Sequence, residues 1–470
     1  MRLTPSPTLT ISHADRERCE QAGDVPVKIR AVRGMNDILP EEARSWQHIE
    51  SVFRNVASLY GYGEVRTPVI EDTALFSKEL GETSDVVEKE MYSFRRHDNE
   101  LTVRPEGTAG AARAYVEHAV WGKEPSSRWY YVGPMFRGER PAKGRYRQFY
   151  QLGCELYGDA GPTSDAEIIE LCVRVLQGLA IKELTVHLNS LGSSGPGETN
   201  TRARYRAALL DYFTPRRAEL SDDSQRRLEK NPLRILDSKD ARDIALAKDA
   251  PSTLDVLSDD DRLHFEGVTA ALDALGITYV VDPRLVRGLD YYTRTLFEIK
   301  TASADLGAQN TLCGGGRYDE MIEGLGGPKT PAIGFAMGIE RLLIAHLAST
   351  QKETSAPWLP AVYVASLAPD DAGAKKDATR TALSLAKQLR DAGIRCDVDT
   401  RDSKLKAMLR RADALRTRAC VILGDEERRT GMLTVKDLAN EVQVSIPSAE
   451  LVERTLELIK TPVHAKGAAS

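Results

Sequence analysis

The sequence predicts a large α+β domain that contains a mostly helical insertion, followed by a small α/β domain. The chain has 470 residues, which is too long for one hydrophobic core and indicates two or three domains. Two strand-like stretches at 128–139 and 147–158 flank a basic loop, as expected of an antiparallel pair. Beyond a polar, proline-bearing linker at about 348–360, strand-like and helix-like segments alternate, which is typical of a mainly parallel sheet.

The chain is expected to begin with a loose extension, then a helix and a strand. Residues 1–27 lack the apolar core of a signal peptide and carry acidic residues that argue against a transit peptide. From Pro40, apolar side chains recur at helical spacing up to Gly61, so we expect a helix between the proline and the glycine. The next segment, "EVRTPVI" (64–70), is predicted to be a strand.

The middle of the chain changes character twice. Ser164 and Glu167 form a capping-box pattern and predict the start of a helix after the paired strands. Polar sequence with helical patches follows, strand-like sequence returns at 277–300, and "GFAMGIERLLIAHLA" (334–348) is predicted to be a helix. The predicted parts are an extension at 1–27, a large domain at 28–350 with an insertion at about 190–275, a small domain at 361–455 and a tail at 456–470.

Composition excludes several classes of protein. The chain is 41% apolar and 28% charged, and its formal net charge of −5 means that any contact with nucleic acid must come from local basic patches. No run approaches the ~20 apolar residues that a membrane helix needs. The six cysteines occur singly, which indicates neither a zinc site nor a disulfide framework and favours a reducing compartment such as the cytoplasm.

The loop between the paired strands is the first candidate site. From Arg137 to Arg147 it contains four arginines and one lysine against a single acid, Glu139. A solvated hairpin tip would explain such a run, but here the charges alternate with aromatic residues. Arginine forks grip phosphate and aromatic rings stack on bases, so the loop suits a nucleotide, a nucleic-acid strand, or both.

The stretch "LVRGLDYYTRTLFE" (285–298) raises a question of charge. Its apolar ends indicate a buried strand, yet burying Arg287, Asp290 and Arg294 is costly unless each is paired. The partners must be protein groups of opposite charge or a charged ligand. Arg341 poses the same question, because apolar residues of the predicted helix surround it in sequence.

Two other segments combine polar residues with a buried context. Glu106, at the start of an alanine-rich helix, is explained either as a first-turn acid or as the partner of a ligand ammonium group. Gln151 and Glu155 are four residues apart on one strand, so they face the same side, where a small polar ligand would supply donors. "GGGRYD" (314–319) alone more often indicates tight strand packing than ligand binding.

Together these stretches resemble the class II aminoacyl-tRNA synthetases, and among them the histidyl-tRNA synthetase family, over roughly residues 28–450. "RGMNDILPEE" is similar to that family's N-terminal signature. "MFRGERPAKGRYRQFYQLGCE" and "AIGFAMGIERLL" are similar to the second and third class II motifs, and "LVRGLDYYTRTLFE" and "GGGRYD" to the two stretches particular to the histidine enzymes. The resemblance implies an α+β catalytic domain on a six-stranded antiparallel sheet, an anticodon-binding α/β domain and a homodimer.

The resemblance also implies a two-step reaction. Histidine and ATP, with Mg²⁺ on its β- and γ-phosphates, would give histidyl-adenylate and pyrophosphate, and the histidyl group would then pass to the 3′ end of tRNA(His). A pocket that hydrogen-bonds both imidazole nitrogens rejects isosteres strongly, so no editing domain is expected.

The family's functional residues can be carried over onto matching positions. Arg137 and Arg287 would be the catalytic groups, on opposite sides of the α-phosphate. The implied ATP-binding residues are Arg137, Glu139, Arg145, Phe149 and Arg341, with the adenine between Phe149 and Arg341. The implied histidine-binding residues are Glu106, Thr108, Arg137, Gln151, Glu155, Arg287, Tyr291 and Tyr292.

The tRNA-binding residues are less well defined by the sequence. A solvated face would explain the basic helix "SKLKAMLRRADALRT" (403–417), although the family reads the anticodon with this domain. Ala142 stands where many bacterial relatives have a Gln that helps to read the extra 5′ guanosine of the tRNA, and Arg147 is a candidate substitute. The candidate tRNA contacts are Arg140, Lys143, Arg147, Arg410 and Arg411.

Two alternatives remain open at this point. Synthetase-like regulatory paralogues bind histidine without charging tRNA, but they usually lack the anticodon domain and the ATP-binding arginines, all of which this sequence retains. A synthetase for another amino acid, such as proline or threonine, would share the class II motifs. The stretch "LDYYTRT" and the pair Gln151 and Glu155 argue against that alternative.

Overall fold

The computed structural model describes residues 29–81, 86–197, 200–302, 306–307, 310–350, 360–368, 371–399 and 403–460. They form two compact units, divided between residues 353 and 354. The predicted extension, most of the predicted linker and the end of the predicted tail lie outside the described residues. No helix in the described ranges is long and apolar enough to cross a membrane.

The first unit is built on an eight-stranded sheet with the order β1-β5-β6-β11-β10-β9-β7-β8. The six strands from β5 to β7 in that order pair antiparallel, as expected, and the short outer strands β1 and β8 pair parallel with their neighbours. The strands are β1 (Gly63–Glu64), β5 (Ser127–Phe136), β6 (Gln148–Tyr157), β7 (Leu184–Ser190), β8 (Tyr279–Val281), β9 (Thr293–Thr301), β10 (Thr311–Arg317) and β11 (Ala332–Gly338).

Helices cover this sheet and share one hydrophobic core with it. The predicted first helix is confirmed: it begins at Pro40, buries Trp46, Ile49 and Phe53, and is followed by Gly61 with φ +76°. The helices of the first unit are α1 (Pro40–Leu59), α2 (Thr73–Glu79), α3 (Thr108–Glu117), α4 (Pro162–Gly178), α5 (Thr201–Phe213), α6 (Asp222–Lys230), α7 (Ala241–Ala247), α8 (Asp259–Ala274), α9 (Met321–Gly324) and α10 (Ile339–Thr350).

A second, three-stranded antiparallel sheet was not predicted. It has the order β2-β4-β3, formed by Ile70–Asp72, Asn99–Val103 and Tyr92–Arg96 respectively. The single strand predicted for 64–70 is therefore wrong, because the chain leaves the large sheet after Glu64 and joins the small sheet at Ile70. Pro68 lies between the two strands, where it interrupts no ladder because it has no N–H to donate.

The insertion is helical, as predicted, and has a small core of its own. Side chains from α5, α6 and the short 3₁₀ helices at Pro232–Ile235 and Thr253–Val256 pack around Tyr205, Leu209 and Phe213. Helix α8 instead packs against α4 and buries Val268 and Leu272 in the core of the main sheet. The last part of the predicted insertion thus belongs structurally to the surrounding domain.

Three local predictions are wrong for identifiable reasons. Helix α4 begins at Pro162, so Ser164 lies inside its first turn, where the hydroxyl donates to the Gly161 carbonyl at 2.6 Å. The predicted helix at 334–348 is strand β11 followed by α10, because a long apolar run fits a fully buried strand as well as a helix. The first half of 285–298 is an irregular loop, and only the second half is a strand.

The second unit contains a five-stranded sheet with the order β13-β12-β14-β15-β16. Strands β12 to β14 pair parallel, but β15 and β16 add antiparallel, so the sheet is mixed and not mainly parallel. The elements are β12 (Val362–Ser366), α11 (Ala372–Asp391), β13 (Cys396–Val398), α12 (Leu405–Ala414), β14 (Ala419–Leu423), α13 (Asp425–Thr430), β15 (Met432–Asp437), β16 (Val442–Pro447) and α14 (Leu451–Lys460).

Candidate active site

Four arginines from distant segments converge on one cavity of about 510 Å³. Arg137 directly follows β5, and Arg145 lies in the hairpin loop between β5 and β6. Arg287 lies in the loop before β9, and Arg341 lies in the first turn of α10. All four line the cavity, so the fold brings together positive charges from segments that lie far apart in the sequence.

The electrostatics of the cavity indicate an excess of positive charge. Burial lowers the pKa of Arg341, and the charges of Arg145, Arg287 and Arg137 lower it further. Burial is also the main cause of the lowered pKa of Arg137, to which Arg287 contributes by repulsion. Since like charges are costly to hold together in a partly desolvated site, the cavity favours an anionic ligand.

Arg287 is seated between a carboxylate and a glycine. Its Nη1 donates to Glu298 Oε1, while its Nε is buried and has no hydrogen-bond partner among the described residues. Burial lowers the pKa of Arg287, but the Glu298 carboxylate outweighs that effect and the net shift is upward. A methyl group on Gly314 would overlap the guanidinium, so the first glycine of "GGGRYD" makes room for Arg287.

Protein groups hold the other arginines at the cavity wall. Arg137 Nε donates to the Pro105 carbonyl at 2.9 Å, and its guanidinium lies 5.3 Å from the centre of the Phe149 ring. Arg145 is paired with Glu139. Arg341 donates to the Thr311 carbonyl at 3.0 Å. The predicted nucleotide residues therefore lie around the same space.

A smaller pocket of about 40 Å³ adjoins the cavity and shares Arg137 and Arg287 with it. Glu155 lies behind the lining residues Thr108 and Tyr318: it is completely buried and accepts hydrogen bonds from Thr108 Oγ1 at 2.7 Å and Tyr318 OH at 2.5 Å. Burial raises the pKa of Glu155 to about 8, so folding favours the protonated carboxyl. Besides Arg137 and Arg287, the polar side chains that line the pocket are Glu106, Thr108, Gln151, Tyr291, Tyr292 and Tyr318.

Glu106 and Gln151 differ in whether the protein provides hydrogen-bond partners for their side chains. The Glu106 carboxylate accepts from the backbone N–H groups of Thr108 at 2.7 Å and Ala109 at 2.8 Å, so it does satisfy the start of α3. It also lines the pocket, so the two explanations offered for it are compatible. Gln151 Oε1 is buried without a hydrogen-bond partner in the described chain, as expected of an acceptor that awaits a ligand donor.

Tyr318 and Gly334 are among the residues of this pocket that sequence reasoning missed. Tyr318 was visible in "GGGRYD", but nothing local indicated that its hydroxyl reaches Glu155. Gly334 faces Glu155 in the register of β11 and β6, and a side chain there would overlap the carboxylate. The register of two strands distant in sequence would have been needed to find this glycine.

The charged side chains of residues 285–298 have partners of opposite charge within the protein. Arg287 pairs with Glu298, Arg294 Nε donates to Asp261 at 3.0 Å, and Asp290 accepts from Arg234 Nη2 at 2.6 Å. The expected need for partners is therefore met without a ligand.

The candidate tRNA contacts are divided between the two units. Arg140 and Lys143 are exposed near the tip of the hairpin loop, whose turn contains Gly144 at φ +70°. Arg147 is half-buried and donates to the carbonyls of Glu139 at 3.2 Å and Arg33 at 3.4 Å. In the second unit, exposed side chains on α12 include Arg410 and Arg411.

Comparison with known proteins gives a consistent result. The histidyl-tRNA synthetase family model matches residues 34–342, and an anticodon-binding domain model matches residues 361–458. The histidine–tRNA ligase of Sorangium cellulosum is 61% identical over 92% of this chain and 98% of its own length. That of Thermosynechococcus vestitus is 48% identical over 90% of this chain and 95% of its own length.

A solved structure supports the same assignment. The apo histidyl-tRNA synthetase of S. aureus is 35% identical and has a TM-score of 0.75, covering 91% of this chain and 99% of that one. Sequence motifs, sheet topology, site geometry and relatives therefore agree. The chain belongs to the histidyl-tRNA synthetase family of class II aminoacyl-tRNA synthetases.

Proposed function

We propose that the chain is a histidine–tRNA ligase, which activates L-histidine with ATP and transfers the histidyl group to the 3′ end of tRNA(His). One observation carries the proposal. Four arginines line a single cavity, and that cavity adjoins a polar pocket whose lining residues Thr108 and Tyr318 donate to the buried carboxyl of Glu155. The first part suits a triphosphate and the second a small amino acid with hydrogen-bonding groups in its side chain.

In the first step, a carboxylate oxygen of histidine forms a bond to the α-phosphorus of ATP and pyrophosphate leaves. Arg137 and Arg287 would hold the α-phosphate from two sides, and their charges would stabilise the oxygens as charge develops. Arg145 and Arg341 would hold the outer phosphates. In the second step, a terminal ribose hydroxyl of the tRNA attacks the activated carbonyl, and AMP leaves.

The adenine is proposed to lie between Phe149 and the guanidinium of Arg341, with Glu139 on its edge. Arg137 lies 5.3 Å from the Phe149 ring, and Glu139 pairs with Arg145. The contact between Arg137 and Phe149 and the ion pair between Glu139 and Arg145 must both weaken when the nucleotide binds. This exchange of partners is compatible with the site, because Phe149, Glu139 and Arg341 line the same cavity.

The histidine pocket is proposed to use two sets of groups. Glu106, Thr108 and Gln151 would receive the α-ammonium group. Glu155 and Tyr292 would bind the two imidazole nitrogens, with Tyr291 beside them. Each Glu155 oxygen has one donor and therefore a free lone pair for the ligand. At about 40 Å³ the pocket holds at most a few waters, so the proposed binding requires it to widen.

Mg²⁺ is proposed to enter with ATP. Within the described residues, no cluster of three or more His, Cys, Asp or Glu side chains is arranged to hold a metal ion. Two of the carboxylates that line the cavity, Glu139 and Glu298, are paired with arginines. These residues suit an ion held mainly by phosphate oxygens and water, where it would neutralise charge on the leaving pyrophosphate.

Binding of tRNA is proposed to involve both units. The exposed Arg140 and Lys143 would meet the acceptor end, and Arg410 and Arg411 the anticodon arm. Arg147, proposed to compensate for Ala142, would have to exchange its backbone partners for the 5′ guanosine. The proposed location is the cytoplasm, in keeping with five described cysteines that are free thiols.

The proposed homodimer is supported by an apolar groove beside α1. The groove has a volume of about 770 Å³. Leu39 is 65% exposed and Leu347 is 47% exposed on its wall. Exposed apolar patches of this kind commonly mark interfaces. Light scattering on the purified chain should give the mass of a dimer, and the mass of a monomer would contradict the proposal.

The experiment that tests the function is amino-acid-dependent exchange of pyrophosphate into ATP. We expect exchange with histidine and with no other standard amino acid, followed by charging of tRNA(His). Absence of exchange would favour a regulatory paralogue. Exchange with another amino acid would favour a synthetase of different specificity.

A further inference from the structure

Side chains of the insertion form hydrogen bonds with the loop that contains Arg287. Three of its side chains converge on Asp290, and two of them bind the carboxylate: Arg234 Nη2 donates to Asp290 Oδ1 at 2.6 Å, and Asn231 Nδ2 donates to the same oxygen at 3.1 Å. Arg202 Nη2, on α5, donates to the Asp290 carbonyl at 3.2 Å. Asp290 is therefore a point of attachment between the insertion and the active site.

The same Arg234 guanidinium also reaches Arg287. Its Nη1 donates to the main-chain carbonyl of Arg287 at 2.9 Å, so one planar group bridges Arg287 and Asp290. Arg234 is only 8% exposed, and its fork holds both acceptors in a fixed orientation. A lysine at this position would provide the charge without the two divergent donors.

The loop is also held at its ends, where Asn189 Nδ2 donates to the Leu285 carbonyl at 3.0 Å and apolar side chains of the loop pack together. Between Leu285 and Tyr292, the backbone N–H groups that bond to backbone carbonyls in the described chain are those of Leu285 and Asp290. The Arg287 side chain is anchored on β9 through Glu298, but its backbone lies in irregular structure. At Arg287 itself, the described hydrogen bond to the main chain is the one that Arg234 donates.

We propose that Arg234 is a positioning residue that sets the placement of Arg287, so that the position of the insertion controls histidyl-adenylate formation. The inference rests on the proposed function, in which Arg287 contacts the α-phosphate. Removing Arg234 would displace a transition-state group, while the groups proposed for the α-ammonium group and the imidazole of histidine are retained. Errors of about 1 Å in such a group typically cost about 10²-fold in rate.

The test uses the full-length chain in pyrophosphate exchange without tRNA, with Arg234→Ala and Arg234→Lys. We expect kcat to fall about 10²-fold for Arg234→Ala and by less for Arg234→Lys, while KM for histidine changes less than about threefold. Arg217→Ala is the matched control, because Arg217 lies on the same insertion and pairs with the exposed Glu229 at 2.8 Å. It should keep wild-type kcat.

A second measurement separates positioning from a structural role. In an Arg287→Lys background, Arg234→Ala should cost much less than in the wild type, because both changes act through one group. The inference would be overturned if folded Arg234→Ala and Arg234→Lys kept wild-type kcat, even if their thermal stability were lower. It would also be overturned if the losses of kcat from Arg234→Ala and Arg287→Lys were fully additive in the double variant. Wild-type protein inactive with histidine would instead overturn the proposed function.

Discussion

Glu155 and Gly334 face each other across the pairing of β6 and β11, and the absent side chain of Gly334 leaves the space that the Glu155 carboxylate occupies. The carboxylate is thereby held between the hydroxyls of Thr108 and Tyr318, two residues that line the small pocket. The strand register thus contributes directly to the geometry of the proposed histidine site.

We expect Gly334→Ala to lower histidine affinity by about 10²-fold or more, because its methyl group would push Glu155 away from its two donors. The measurement is calorimetric titration with histidine in the absence of ATP. Gly338→Ala, on the same strand, has open space around the added methyl and should bind histidine normally. Equal affinities for the two variants would contradict the assignment of the pocket.

The buried carboxyl should also make stability depend on pH. Burial raises the pKa of Glu155 to about 8 in the folded chain, well above its ordinary value of 4.5. Folding therefore favours the protonated form, and this contribution to stability is lost as pH rises from about 4.5 to about 8. A glutamine does not titrate, so Glu155→Gln should gain stability relative to the wild type over that interval.

Thermal unfolding of both proteins at several pH values from 5 to 8.5 would measure this gain. Glu79 and Glu340, whose pKa values burial raises to about 7, titrate in both proteins and cancel in the difference. Unfolding midpoints that differ by a constant amount at every pH would show that Glu155 is ionised in the folded chain.

Arg287→His should abolish adenylate formation, with a loss of about 10³-fold or more, while the fold is retained and histidine affinity is largely unchanged. The fold should be retained because Glu298 would still have two partners, the Lys300 ammonium group at 3.5 Å and the Thr311 hydroxyl at 3.2 Å. Single-turnover adenylation, circular dichroism and histidine titration measure the three properties. Arg284→His changes an exposed arginine of the same loop and serves as the control, which should keep wild-type adenylation. Near-normal adenylation by Arg287→His would refute the role assigned to Arg287.

Arg341→Ala should raise KM for ATP by about tenfold or more and leave histidine binding unchanged, since the side chain lines the large cavity but not the small pocket. Pyrophosphate exchange at varied ATP gives the value. Arg174→Ala removes an exposed arginine that pairs with Glu170 on α4 and serves as the control. A rise in KM for histidine instead of ATP would reverse the proposed roles of the two spaces.

Much of the local structure followed from periodicity and turn chemistry. The helix from Pro40 and the paired strands around the basic loop were predictable, because their signals lie within single segments. The boundary between β11 and α10 was not, since apolar residues continue through both and only the neighbouring strands decide where the strand ends.

The site was predictable only in part. Motifs identified Arg137, Arg287 and Arg341, but their convergence depends on pairing between strands far apart in sequence. The bridge made by Arg234 gave no sequence signal, because an arginine in a charged helical insertion is ordinary. Its function depends on Asp290, 56 residues further along the chain.

The position of β11 has a consequence for biosynthesis. This strand is the last of the large sheet to be translated, yet it occupies the middle, between β6 and β10. During synthesis, Ala332–Gly338 must therefore emerge from the ribosome before the two halves of the sheet can join. Until then, the nascent polypeptide exposes two unpaired edges, and premature termination before this strand would yield a product prone to aggregation.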